Sequence, residues 1–169
     1  MKLLVCISKA PDTTAKIAFT DGDSKFDENG VQYIVNPYDE WYALVRALEL
    51  VEANGGSVTT ITVGTAADDP IRKALAIGAN DAVRIDAEAL DAGNVAKQIS
   101  EYAKDKEYDI IFTGKETINY NGAQVGGMIA EHLNLPFISL GTKLDVNGDT
   151  ATLERDVQGG IEIVEVNTP

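Results

Sequence analysis

Residues 112–133 read FTGKETINYNGAQVGGMIAEHL. The segment begins apolar, crosses a polar run that holds Gly122, Gly126 and Gly127, and finishes with helical apolar spacing. A strand that hands over to a helix in this way is the unit from which parallel sheets are wound. The loop composition also carries chemistry. Glycines let a backbone approach a ligand closely, and the first turn of the following helix offers unpaired N–H donors at a positive dipole end. A phosphate is held in such a place with little help from lysine. A glycine-rich turn that seats a helix tightly on a sheet has the same composition, and the run is neither a Walker A sequence nor GxGxxG. On spacing alone, both readings stand.

Working outward, the same alternation repeats. Residues 2–7 (KLLVCI) form an apolar run without alternation, the pattern of a central strand buried on both faces. Residues 57–63 (SVTTITV), 82–85 (AVRI) and 109–113 (DIIFT) read as further strands. Asn36-Pro37 predicts a helix start with Asn36 as cap, Asp39 and Glu40 in the first turn, and Trp41, Leu44, Val45, Leu48 and Val51 on one face. Asn54-Gly55-Gly56 stops it. Asp69-Pro70 opens a second helix with Ile71, Ala74 and Leu75 on its face, ended by Gly78. Residues 94–106 form a third, buried through Val95, Ile99 and Tyr102, and residues 123–133 a fourth. Between the first strand and first helix, residues 17–19 and 31–34 are expected to pair as a hairpin across DGD and ENG turn signals. After Pro136, residues 137–140 read as a fifth strand, 143–146 and 151–156 flank Asn147-Gly148 as a hairpin, and 161–166 alternate as a half-buried strand. The expected fold is α/β: a single domain over 1–169 with a doubly wound, mostly parallel sheet flanked by helices, Rossmann-like, followed by an antiparallel meander.

The 169 residues suffice for one domain with a substantial core. A net charge of −13, from 27 acids and 14 bases, argues against nucleic acid as a partner, because duplex binding requires a basic face. A lone cysteine, Cys6, permits no internal disulfide. No apolar run approaches the roughly 20 residues of a membrane span, so direct membrane insertion is not expected and a cytoplasmic setting is the default. The chain stops at Asn167-Thr168-Pro169, directly after a strand, which suggests a truncated product.

Ligands of open parallel sheets sit outside the carboxyl ends of the strands, where strand order reverses. The loops after Ile7, Val63 and Thr113 meet there, with the helix that starts at Asn36 beside them. Cys6, inside an apolar strand, reads as a packed small hydrophobe. His132 reads as structural, and with no second histidine a His-based metal cluster is not expected. Asp21, Asp23 and Asp27 do not meet the EF-hand pattern and read as a solvated loop. The residues describe a nucleotide-sized site without a catalytic constellation.

The chain resembles the β subunit of electron transfer flavoproteins along its whole length. The resemblance is carried by LLVCISKAPD (3–12), VNPYDEWYALVRALEL (35–50), IRKALAIGAND (71–81), GKETINYNGAQVGGMIAEHL (114–133) and LERDVQGGIEIVEVNTP (153–169), in that order. It implies a fold similar to the adenine nucleotide alpha hydrolase-like proteins. It also implies an electron carrier subunit that is not itself a catalyst. Such a subunit works in a heterodimer with an α subunit that holds the redox FAD, takes electrons from dehydrogenases and passes them to a quinone reductase or another acceptor. In the common type the β subunit carries a structural AMP, and in the bifurcating type a second FAD.

The family's β site maps onto Cys6, Asn36, Pro37, Tyr38, Asp39 and Val63, and onto the run Tyr120, Asn121, Gly122, Ala123, Gln124, Val125, Gly126, Gly127, Met128, Ile129, Ala130 and Glu131. Gln124, Gly126 and Gly127 would lie against the phosphate, with Cys6, Asn36 and Val63 lining the adenosine pocket. NYNGAQVGG departs from the family's acidic run at 119–121, which leaves AMP and FAD both open, with AMP favoured. The family's C-terminal arm and partner-recognition loop are expected to lie outside these residues. Two other readings compete. A stress-type nucleotide-binding regulator gives no reason for residues 153–169. An adenylate-forming enzyme needs an SGGxD-like loop where this chain has ISKAPD.

Overall fold

A computed structural model of the chain describes residues 1–37, 39–65, 68–118 and 120–168. The first strand, β1 (Lys2–Cys6), is buried from Leu3 onward on both faces, as its unbroken apolar run demands. Next come β2 (Lys9–Pro11), β3 (Phe19–Thr20), β4 (Lys25–Phe26) and β5 (Tyr33–Val35). Their pairing corrects the expected hairpin between 17–19 and 31–34. Asp21, Gly22 and Asp23 all take positive φ and reverse the chain at once, so Phe19 meets Phe26 instead, the rings edge to face at 6.5 Å. β5 is thereby released to pair antiparallel with β2.

Helix α1 (Asp39–Asn54) begins after Asn36-Pro37, and the Asn36 side chain does not cap it; its Nδ2 donates to Glu116 O at 2.8 Å. The buried face is Glu40, Leu44, Ala47 and Leu50, which leaves Trp41 on the rim. The face is turned from the expected one because Glu40 points inward. Gly55 and Gly56 then end the helix at positive φ. A Cβ on Gly56 would lie 1.8 Å from Met1 O, so only glycine passes beneath the N-terminus. β6 (Ser57–Val63) follows with the bounds its β-branched run predicts. α2 (Asp68–Ile77) buries Ala74 but leaves Leu75 exposed, against expectation.

β7 (Asp81–Ile85) leads to α3 (Ala92–Ala103), where Asp91 is the cap, accepting from Asn94 N–H at 2.7 Å. β8 (Ile110–Phe112) and α4 (Val125–Leu133) enclose the segment that opens the sequence reading. The residues at 137–140 are not a strand. Phe137 is turned back against Gly126 and Gly127, which removes that segment from the sheet. β9 (Gly141–Asn147), β10 (Thr150–Val157) and β11 (Gly160–Asn167) form the expected antiparallel meander. β11 is largely exposed rather than half-buried, with Ile161 and Ile163 both facing outward.

The main sheet is parallel, in the order β7-β6-β1-β8. Alternate residues of β1 divide the core. Leu3, Val5 and Ile7 join Leu44, Ala47, Leu50 and Ala74 from α1 and α2, together with Leu144 and Ala151 of the meander. Leu4 and Cys6 join Ala96, Ile99, Ala103 and Ile129 from α3 and α4. Helices therefore cover both faces. Because β1, β6 and β7 step one way and β8 returns to the other side of β1, strand order reverses between β1 and β8. None of the helices among the described residues is long and apolar enough to cross a membrane.

Candidate functional site

The crevice at the carboxyl ends of β1 and β8 is built from three loops and the start of α1. Ile7 still belongs to the sheet, its N–H donating to Ile61 O at 2.9 Å. Ser8 does not. Its N–H donates to Glu40 Oε2 at 2.6 Å and its Oγ to Glu40 Oε1 at 2.7 Å. Glu40 is only 6% exposed. Burial pushes its carboxyl group up from 4.5 to about 7; the bonds from Ser8 oppose that rise and the nearby Asp39 charge adds to it.

From the β8 side, Gly114 closes on the same side chain. A Cβ there would sit 2.8 Å from Glu40 Cγ and 3.1 Å from Asp39 Cβ. Glu116 N–H donates to Asp39 Oδ2 at 3.3 Å, while Glu116 O accepts from Asn36. Beyond this contact lies an open depression of ≈ 360 Å³ lined by Asp39, Lys115, Glu116, Thr117, Ile118 and Asn121.

The residues singled out by sequence fall into three groups. Asp39 and Asn121 line this depression, and Asn36 is joined to its wall through Glu116 O; Pro37 and the rest of the loop 120–124 flank these residues in the chain. Asn36 is fully buried, and its Oδ1 has no hydrogen-bond partner among the described residues. Tyr120, Asn121, Gly122, Ala123 and Gln124 are exposed, and Asn121 and Ala123 take positive φ of 49° and 51° on either side of Gly122. Val125, Gly126 and Gly127 form the first turn of α4, whose first internal bond runs from Met128 N–H to Gln124 O, so their amides precede the ladder.

Gly126 and Gly127 also pack the helix. A Cβ on Gly126 would stand 2.6 Å from Thr113 Oγ1 and 3.1 Å from the Phe137 ring. Tight seating thus accounts for Gly126 by itself, whether or not a ligand approaches, whereas a Cβ on Gly127 would meet the Phe137 ring only at 3.5 Å, an ordinary contact. The remaining residues lie apart. Cys6, Ile129 and Ala130 are core side chains, Val63 packs at the edge of the Cys6 cluster, and Met128 and Glu131 are exposed on α4. Burial, and secondarily the Glu40 carboxylate, hold the Cys6 thiol well above its usual range. Tyr38 lies outside the described residues.

His132 is exposed near the end of α4 and lines a separate depression of ≈ 240 Å³ with Lys97, Ser100 and Glu101 of α3 and with Lys104 just past that helix. Helices of a parallel α/β unit run opposite to the strands, so this depression, at the carboxyl ends of α3 and α4, lies at the opposite end of the strands from the crevice. Among the described residues no cluster of three or more His, Cys, Asp or Glu is placed to hold a metal ion. Sequence reasoning missed Ser8, Gly114, Glu116 and the inward turn of Glu40. The only available signal was the acidic pair after Asn36-Pro37, which reads equally well as dipole complementarity.

Residues 23–169 match the family model described as electron transfer flavoprotein domain. Over its full length the chain is 38% identical to electron transfer flavoprotein subunit beta of Bacillus subtilis, covering 66% of that protein. It is 33% identical to the acryloyl-CoA reductase electron transfer subunit gamma of Anaerotignum propionicum, covering 65%, and 34% identical to protein FixA of Azotobacter vinelandii, covering 63%. The chain thus spans slightly less than two thirds of the length of these relatives.

Proposed function

The chain belongs to the electron transfer flavoprotein domain family, and from that premise we propose that it is the nucleotide-binding part of a β subunit. Its partner is an α subunit that holds the redox-active FAD. The pair takes electrons from dehydrogenases and delivers them to a further acceptor, and this chain is a carrier component rather than a catalyst. We assign an adenine nucleotide, AMP, to the crevice at the carboxyl ends of β1 and β8.

The observation that carries this reading is Asn36. Its Nδ2 is fixed by Glu116 O, while its Oδ1 is a buried acceptor without a donor among the described residues. A buried, unsatisfied acceptor is costly, and the exocyclic amine of adenine is a donor of the kind it lacks. The polarity of the surroundings divides in the same sense. The Asp39 carboxylate on the wall of the depression suits ribose hydroxyls, whereas the first-turn amides of α4 suit a phosphate. Asn121 and Ala123, held at positive φ, orient the loop between the two. AMP would supply no redox chemistry; bound in the crevice, it would link the loop after β8 to α1. The residues of the chain bind and orient it.

The test is to denature the purified protein and identify the released nucleotide by mass. AMP is expected, FAD would reassign the crevice to the flavin-carrying type of β subunit, and absence of any nucleotide after co-expression with an α subunit would overturn the assignment. Replacement N36A should abolish retention while leaving the circular dichroism of the chain intact.

A further inference from the structure

Ser8 is the point at which β1 leaves the sheet, and it is only half-buried beside the reversal of strand order. Both of its polar groups are committed to one carboxyl group, that of Glu40. We infer that Ser8 is a ligand-facing residue of this crevice and that Glu40 positions it, the proton on Glu40 deciding whether the Ser8 hydroxyl offers the ligand a donor or an acceptor. The inference rests on the adenine-nucleotide reading above.

Among the described residues, the groups that face Glu40 are few. From its own helix comes the Asp39 charge, from β1 the Cys6 thiol, from the residue where the chain leaves the sheet the two donors of Ser8, and from the segment before α1 the Asn36 backbone N–H. The loop after β8 presents Gly114 to it, and the charges that follow, Lys115 and Glu116, pair with each other at 2.9 Å. Burial and the second carboxylate alongside favour the neutral form of Glu40, against the donors of Ser8 and the Asn36 N–H, which favour the ionised one. The carboxyl group is pushed up to about 7, so both forms are populated near neutrality.

The two forms differ in what Ser8 can do. When Glu40 is ionised, both its oxygens accept, and the Ser8 O–H is turned inward. When Glu40 is protonated, its own O–H donates to Ser8 Oγ while the other oxygen keeps the Ser8 N–H. The Ser8 hydroxyl proton is then free to donate to a phosphate or ribose oxygen. Heavy atoms need not move; the polarity of one hydroxyl reverses.

The experiment measures AMP affinity calorimetrically with the purified chain from about pH 7 to about pH 8.5, above the second ionisation of the phosphate at roughly 6, so that the ligand itself does not titrate. The wild-type chain is expected to weaken with rising pH by up to about tenfold per unit, the limit for one linked proton. Replacement E40Q keeps an acceptor for Ser8 N–H and adds a permanent donor to Ser8 Oγ. It should bind with the low-pH affinity of the wild type across the whole range. S8A should be flat and weak.

Equal slopes in wild type and E40Q, or loss of binding in a folded E40Q, would overturn the inference. If the wild type binds no AMP at any pH, the nucleotide reading fails separately, and the pair is judged in the free protein. There the Ser8 amide resonance is expected to titrate near neutrality in wild type and not in E40Q; an amide that stays fixed refutes the pair.

Discussion

Replacing Gly114 by alanine perturbs the fold and the site through one contact. The new Cβ would lie 2.8 Å from Glu40 Cγ, 3.1 Å from Asp39 Cβ and 3.3 Å from Glu40 N. Two of these three atoms belong to the rigid start of α1. The third sits midway along a side chain whose end is pinned by Ser8. None can swing aside, so the loop after β8 or the first turn of α1 must shift. Overpacking of this kind costs about 1–3 kcal/mol. With so little freedom, the upper half applies, and about 2 kcal/mol corresponds to a fall in Tm of roughly 4–8 °C for a chain of this size. Urea denaturation of G114A against wild type reads the value directly. In an E40A background the Cγ is gone, and the cost of G114A should drop by about 1 kcal/mol or more, a coupling expected of residues in contact. A loss for G114A below about 0.5 kcal/mol, or an unchanged loss in the E40A background, would refute the claim that Glu40 is wedged between β1 and the loop after β8.

Three further outcomes follow from the same geometry. Glu40 is raised in the folded chain from 4.5 to about 7, so between these values the native state keeps a proton that the unfolded chain has released. Its contribution is full below 4.5 and lost as pH rises towards 7. Relative to E40Q, wild type should therefore lose up to about 3 kcal/mol over that window, and no loss in paired denaturation curves would contradict the burial of the charge. Ala123 sits at φ 51°, a left-handed conformation that costs a non-glycine residue about 1 kcal/mol, so A123G should raise stability by up to that amount, whereas a fall would mean that the methyl group makes a contact. Cys6 is buried and its thiol is held protonated, so alkylation should proceed only through unfolding; labelling of the native chain as fast as in urea would place the thiol at the surface instead.

The alternation of the parallel strands with the four helices, the ends of α1 at Gly55 and of α2 at Gly78, the bounds of β6 and the β9–β10 hairpin were legible in the chain alone; β2 and the absence of a strand at 137–140 were not. The legible features are encoded locally, in side-chain periodicity or in a glycine that the backbone needs at positive φ. The loop 120–124 and the Asn36-Pro37 segment were legible as site candidates for the same reason, since composition marks a loop and strand ends mark its location. Which segments pair was not local. Three left-handed residues at 21–23 redirected Phe19 to Phe26, and Phe137 left the sheet to cover Gly126 and Gly127.

The inward turn of Glu40 lay further still from anything a pattern reveals. Its partners, Ser8 and Gly114, stand 32 positions before it and 74 after it. They reach it only because β1 and β8 are neighbours in a sheet whose order reverses between them. Sequence by itself determined the alternation of elements and marked the strand-to-helix loop proposed to take a ligand, because those depend on residues a few positions apart. Tertiary structure alone decided that a first-turn carboxylate would be taken out of water and held by a serine, because that energy exists only when distant strands have been brought side by side.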